Sequence, residues 1–292
     1  MGASSKMDFY QTPIYLIVFN RLDALRQLVD WLESSGYKNI HIIDNASTYP
    51  PLLQYLKSSP HTVHNMERNY GHLVLWESGE FDDVIDHHNF VLSDCDILPV
   101  ESCPPDVIAR LAEILDRYPN FTKVGLCLRI DDIPDHYALK ASVLEWEAPY
   151  WNHSLEGRAL YEAAIDTTFA YYRPGIKPSD KRWWRSLRTA MPLAARHLPW
   201  YADTSRPTEE DLYYQSHLKE MSSQWSTTDP VLLKKQNIKL QNEILMLRKE
   251  IEILRAGEAT YFRHLTRKKL IAICDWIGIG ETLRKFKQRR LR

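Results

Sequence analysis

The residues best able to do chemistry stand in Phe90-Val91-Leu92-Ser93-Asp94-Cys95-Asp96-Ile97-Leu98-Pro99. An apolar run gives way to two carboxylates one residue apart. In an extended chain, residues i and i+2 point the same way, so Asp94 and Asp96 can face one target at a strand end. Two hard oxygen donors suit a divalent cation that also holds a phosphate. A pair of solvated loop carboxylates gives the same short pattern, so the surrounding elements must decide between the two.

Those elements alternate. Residues 14–19 form a continuous apolar, β-rich run, the mark of a strand buried on both faces. A helical pattern follows over 22–34, with Leu25, Leu28, Val29 and Leu32 on one side and Gly36 beyond its end. Strands are predicted at 40–43, 61–66, 89–93, 123–128 and 167–172, and a helix from Pro104-Pro105 to about Tyr118. Such alternation argues for βαβ units and an α/β fold on a mostly parallel sheet flanked by helices. Parallel sheets bind ligands at the carboxyl ends of their strands. Asn20, Asp44, Asn45, Asp94 and Asp96 all fall at such ends. The chain has neither G-x-G-x-x-G after its first strand nor G-x-x-x-x-G-K-[ST], which disfavours a dinucleotide-binding Rossmann domain and a P-loop NTPase.

With these residues in place, the first 130 residues or so resemble the nucleotide-binding half of a GT-A glycosyltransferase, closest in style to the family 2 enzymes. The resemblance implies that Val18, Phe19, Asn20 and Arg21 lie near the nucleobase and that Asp44, followed by Asn45, Ala46 and Ser47, contacts the base. Asn69-Tyr70-Gly71 fits the family's Asn-x-Gly segment loosely, so Asn69 and Gly71 join the expected donor-binding set. Asp94 and Asp96 match the metal motif, which implies Mn²⁺ or Mg²⁺ as cofactor and a nucleotide-sugar as donor. Some members take a third metal ligand from a distant histidine, a role that falls here to His197. Trp200 and Tyr201 could stack on a sugar or base, although rings of this kind more often pack in a core. An inverting enzyme also needs a carboxylate to take the acceptor hydroxyl proton. The familiar Glu-Asp base motif is not plain. Asp166 is the candidate by order, with Glu209, Glu210 and Asp211 as alternatives, although Thr208-x-x-Asp211 also reads as a helix capping box. Retention or inversion stays open.

The 292 residues are 44% hydrophobic and 26% charged, ordinary for a globular protein. Cys95, Cys103, Cys127 and Cys274 show neither C-x-x-C nor zinc spacing and read as reduced thiols. The first residues carry no signal-peptide h-region. The net charge of -1 is unevenly spread. From Glu258 onward ten Lys/Arg face three acids, a net +7, leaving the rest with 27 basic and 35 acidic residues, a net -8. An acidic body without a recognisable binding module argues against nucleic acid as a partner.

Three regions follow: a GT-A-like domain over 1–228, a coiled coil over 229–256 and a basic amphipathic tail over 257–292. In the coiled coil Leu233, Leu240, Leu247 and Leu254 occupy d, while Asn237, Ile244 and Ile251 occupy a. β-branched a and Leu d favour a parallel dimer, and one Asn at a fixes register. Glu243 then faces Arg248 of the partner helix, and Glu250 faces Arg255. The tail sets Leu270, Ile273, Trp276, Ile277 and Phe286 among basic residues, the composition of an interfacial anchor on an anionic membrane. The expected protein is a cytoplasmic homodimer, peripheral on the inner face of the cell membrane, that glycosylates a lipid-linked or surface-glycan acceptor. A non-catalytic dimeric membrane scaffold with a degenerate nucleotide-sugar site and a nucleotidyltransferase are the alternatives.

Overall fold

A computed structural model describes residues 8–218. The coiled coil expected over 229–256 and the tail expected over 257–292 lie outside the described residues. Among those described, no helix is long and apolar enough to cross a membrane.

β1 (Ile14–Val18) is buried along its whole length. A pleated strand sends alternate side chains to opposite faces. Ile14, Leu16 and Val18 join the larger apolar cluster, while Tyr15 and Ile17 join a second cluster on the other side. α1 (Leu22–Ser34) covers the first face with Leu25, Leu28, Val29 and Leu32. It closes on Gly36, at φ +92. The Gly36 N–H donates to Glu33 O and the Tyr37 N–H to Leu32 O, the paired bonds that end a helix on a left-handed residue.

β2 (Ile40–Asp44), α2 (Pro50–Ser58) and β3 (Thr62–Asn65) come next. α2 has proline in its first turn, where a missing N–H costs nothing. Two short helices, α3 (Val74–Glu77) and α4 (Asp82–His87), lead to β4 (Phe90–Asp94) and, across a two-residue turn, β5 (Ile97–Pro99). α5 (Val107–Arg117) packs Ile108, Leu111 and Leu115 into the larger cluster. The remaining elements are β6 (Lys123–Gly125), β7 (Cys127–Leu128), α6 (Lys140–Glu147), β8 (Ser154–Leu155), β9 (Leu160–Glu162), β10 (Ala170–Tyr172), β11 (Ser186–Thr189), β12 (Ala194–His197) and α7 (Glu209–Ser216).

Nine strands form one sheet in the order β3-β2-β1-β4-β10-β6-β11-β9-β8, and β5-β12-β7 form a smaller one. The fold is a mixed α/β architecture with helices flanking the large sheet. β3, β2, β1 and β4 are mutually parallel. Beyond β4 the expectation of a mostly parallel sheet fails. β10 runs antiparallel to both its neighbours, and only β6–β11 among the later pairs is parallel. The cause is connection: β10 enters directly after β9 and the loop 163–169, without a helix between them, so nothing forces it parallel. The strand expected over 123–128 is also two strands in different sheets. β6 ends at Gly125, where a Cβ would sit 2.8 Å from both Ala170 Cβ and Phe169 O, so only glycine admits that approach.

Lys123, on β6, is wholly buried, and its Nζ makes no hydrogen bond. It lies 3.8 Å over the Trp183 ring and 5.0 Å over Tyr172. Burial lowers its pKa from 10.5 to about 7, with Asp166 pulling the other way. Between those two values the unfolded chain binds the proton that the folded chain releases, so the folded state gains stability as pH rises from 7 to 10.5. Lys123→Met removes the charge at similar length. It is expected to raise thermal stability at pH 7 and below by about 1–3 kcal/mol, the burial cost less the cation–π gain. The difference from wild type should shrink towards pH 10 in calorimetry; a variant less stable at every pH would show that the aromatic contact outweighs burial.

Candidate functional site

The order of strands reverses at β1, with β2 and β3 on one side and β4 on the other. Ligands of open α/β sheets bind at such a point, outside the carboxyl ends of the strands. Phe19 to Arg21 leave β1 there, and Asp94 to Asp96 leave β4.

Asp94 is the last residue of β4, while Asp96 lies on the turn into β5. The turn is pinned from three sides: the Asp94 N–H donates to Thr167 O, the Cys95 N–H to Ile17 O, and the Leu198 N–H to Asp96 O, at 2.8, 3.0 and 2.9 Å. Cys95 points into the core, and the two carboxylates flank it. Burial, and then the neighbouring Asp96, push the Asp94 carboxyl well above the usual range, against a 2.6 Å hydrogen bond from Thr167 Oγ1. Burial also pushes Asp96 up, but His197 and Arg21 outweigh it and hold that carboxyl below the usual range. His197 ends β12, with Nε2 3.6 Å from Asp96 Oδ2. Trp200 is buried in the larger cluster and sets its ring edge-on to the His197 imidazole, 4.8 Å between centroids. It therefore supports His197 from below and offers no open face. Tyr201 is likewise engaged, donating through its hydroxyl to Arg129 O and Asp132.

The nucleoside-side candidates are braced against one another. Asn20 adopts φ +53, a left-handed conformation that asparagine tolerates. Its Oδ1 accepts from the Thr48 and Tyr49 N–H groups at 2.7 and 2.9 Å, and its own N–H donates to Ser47 Oγ. Asp44 accepts from the Ser47 N–H at 2.9 Å. Asn45 donates through Nδ2 to Asn69 Oδ1 and Gly71 O, and accepts from the Tyr70 N–H, each at 2.9 Å. The structure thus brings Asn20 and Asp44 together through Ser47, and Asn45, Asn69 and Gly71 through one amide. Phe19 is half-buried beside them. Asn20 Nδ2 is buried without a hydrogen-bond partner.

Asp166 is mostly exposed, 3.7 Å from His72 Nε2. Its carbonyl accepts from Tyr172 Oη, which fixes the backbone just ahead of Thr167. The same segment is held by Arg188, whose Nε donates to Ala164 O while Nη1 meets the buried Glu147 at 2.8 Å and the guanidinium stacks 3.9 Å over Tyr150.

Sequence reasoning missed Thr167, Arg188 and Glu147, and missed what α7 does. Thr208 and Asp211 form the capping box legible in the sequence. Glu210, weighed only as a base, instead accepts from the Leu22 and Asp23 N–H groups at 2.7 and 3.2 Å, capping α1 from 188 residues away.

The donor chemistry suits a hard divalent ion, because two oxygen donors sit where their mutual repulsion calls for positive charge. No group of three or more His, Cys, Asp or Glu among the described residues is arranged to hold an ion by itself. An ion here would draw its other ligands from water and phosphate, as Mg²⁺ commonly does.

No protein-family model matches the chain, and no curated protein matches it. Among solved structures, glucosyl-3-phosphoglycerate synthase from Mycobacterium tuberculosis with Mn²⁺, UDP-glucose and glycerol 3-phosphate is similar at 14% identity and a TM-score of 0.34, over 56% of each chain. The same enzyme with Mg²⁺ and UDP gives 15% and 0.34 over the same shares. A mycobacterial protein gives 14% and 0.39, over 64% of this chain and 67% of its own. This chain therefore spans little more than half of the synthase. Likenesses of this size leave the reading to the strand order and the site.

Thr167→Val removes one hydroxyl and leaves a part-buried Asp94 oxygen without its donor. The expected cost is about 1–3 kcal/mol in denaturant unfolding. Because the bond favours the ionised carboxylate, the loss should be larger at alkaline than at acid pH. An equal loss at both would mean that Thr167 acts by packing alone.

Proposed function

We propose that this chain is a metal-dependent, GT-A-like glycosyltransferase that moves a sugar from a nucleotide-sugar donor to a lipid-linked or glycan acceptor. The observation that carries the reading is the placing of Asp94 and Asp96 at the strand-order reversal, with His197 3.6 Å from Asp96 and the braced loops 19–21 and 44–49 leaving the neighbouring strands. Asp94 and Asp96, with His197 beside them, would hold Mn²⁺ or Mg²⁺, which when bound neutralises charge on the departing diphosphate. Phe19, Asn20, Arg21, Asp44 and Asn45 would hold the nucleoside, with Asn69 and Gly71 setting the loop above it. Asn20 Nδ2 is a buried donor that a base or ribose oxygen can satisfy. Trp200 fixes the His197 ring.

In the transfer, the acceptor hydroxyl oxygen forms a bond to the anomeric carbon as the bond from that carbon to the diphosphate oxygen breaks, and the diphosphate leaves with the electron pair. In an inverting reaction the hydroxyl proton passes to the Asp166 carboxylate, which is open to solvent and to an incoming acceptor. Residues 229–292 would supply the parallel dimer and the contact with an anionic membrane.

The test is thermal stabilisation by a panel of nucleotide-sugars with and without Mn²⁺, on wild type and Asp96→Ala. A ligand that binds only the folded state adds about 2.7 kcal/mol at 100 times its dissociation constant. Metal-dependent stabilisation by one donor, lost in the variant, is the expected result. No stabilisation by any donor would favour the scaffold reading. A chain truncated after Thr228 is expected to scatter light as a monomer and to stop floating with anionic liposomes; a truncated chain that stays dimeric overturns the coiled coil.

A further inference from the structure

We propose that α7 is a displaceable plug, in which the Tyr214 ring and the Glu210 carboxylate occupy the nucleoside end of the crevice until a nucleotide takes their place. The inference rests on the donor-site reading above and adds how that site is kept shut.

The first observation is position. α7 reaches back to the residues that leave β1. The Arg21 guanidinium lies 3.9 Å from the Tyr214 ring centroid, and the Phe19 ring meets the same tyrosine edge-on at 6.2 Å. A flat ring stacked on an arginine plane and against a phenylalanine is the surrounding a nucleobase would find there. Asp211 adds an ion pair to Arg21 at 3.7 Å.

The second observation is charge. Arg21, at the cap position of α1, provides no side-chain cap. The exposed amides of that helix end attract an anion. Glu210 provides it, binding the Leu22 and Asp23 N–H groups. A carboxylate from a distant segment thus fills a place where an anionic oxygen of a bound nucleotide would be equally welcome.

The third observation is how lightly α7 is seated. Glu210 is its only buried residue, and Leu212 faces solvent. Besides the Arg21 contacts, Tyr213 donates to Thr48 O at 2.9 Å and tilts against Tyr49, 4.9 Å between centroids. A segment whose contact with the apolar cluster is the half-buried Tyr213, the rest being polar and aromatic contacts, belongs to the low-stability end of a fold. Next to that helix end, Asn20 Nδ2 is buried without a hydrogen-bond partner. A nucleotide that brings a carbonyl or ribose oxygen to that donor gains a bond the closed crevice does not make.

The test uses the full chain and titrates ADP, GDP, UDP and CDP with Mn²⁺ into wild type, Glu210→Ala/Tyr214→Ala and the Leu212→Ala control by calorimetry. A plug seated about nine times in ten weakens apparent affinity about tenfold. The double variant is therefore expected to bind one of the four about tenfold more tightly than wild type, with the control unchanged. Equal or weaker binding by a folded double variant would overturn the plug and make α7 part of the completed site. If the double variant does not fold, hydrogen exchange on wild type decides: nucleotide should lower protection of the α7 amides, and raised protection overturns the plug. If wild type and both variants bind none of the four, the donor-site reading itself fails; wild-type binding without gain in the variant sinks only the plug.

Discussion

Two partly buried carboxylates one residue apart repel each other, and much of the surrounding architecture answers that repulsion. Thr167 donates to Asp94, while His197 and Arg21 bring positive charge to Asp96. Each donor comes from a different part of the chain: the segment ahead of β10, the end of β12 and the exit from β1. The large sheet must therefore place β10 beside β4, and the smaller sheet must place β12 beside β5, before the pair can exist. The antiparallel entry of β10 is part of this, since it sets Thr167 level with the carboxyl end of β4.

The two carboxyls are driven in opposite directions, Asp94 towards its protonated form and Asp96 towards its ionised form. Such splitting is how a like-charged pair relieves its repulsion. The buried Arg188–Glu147 pair differs: it is closed within itself at 2.8 Å and holds backbone in place.

Much of the frame was legible from periodicity. The unbroken apolar run of β1, the stripe of α1 and its terminal glycine, the apolar approach to Asp94 and the capping box of α7 follow from rules that act within one element. What could not be read depends on contacts far apart in the chain. Thr167 meets Asp94 across 73 residues and Glu210 meets Leu22 across 188, and neither threonine nor glutamate carries a local sign of its partner. The later strands are two to four residues long, too short for an alternation to register, which is why the sheet was expected to be mostly parallel. Trp200 shows a related ambiguity: an aromatic beside a histidine has the same sequence signature whether it meets a ligand or the core.

The bracing of the loops bears on how this crevice can change. Asn20, Ser47 and Asp44 tie the exits of β1 and β2 to each other, and Asn45 ties the second exit to 69–71 by three hydrogen bonds. Three segments separated in the chain thus behave as one die-cast wall. Exchanging any one of them for a loop from elsewhere breaks the bonds that shape the other two. Reshaping the wall is a matter of replacing 19–21, 44–49 and 69–71 as a set, a unit larger than a loop and smaller than a domain.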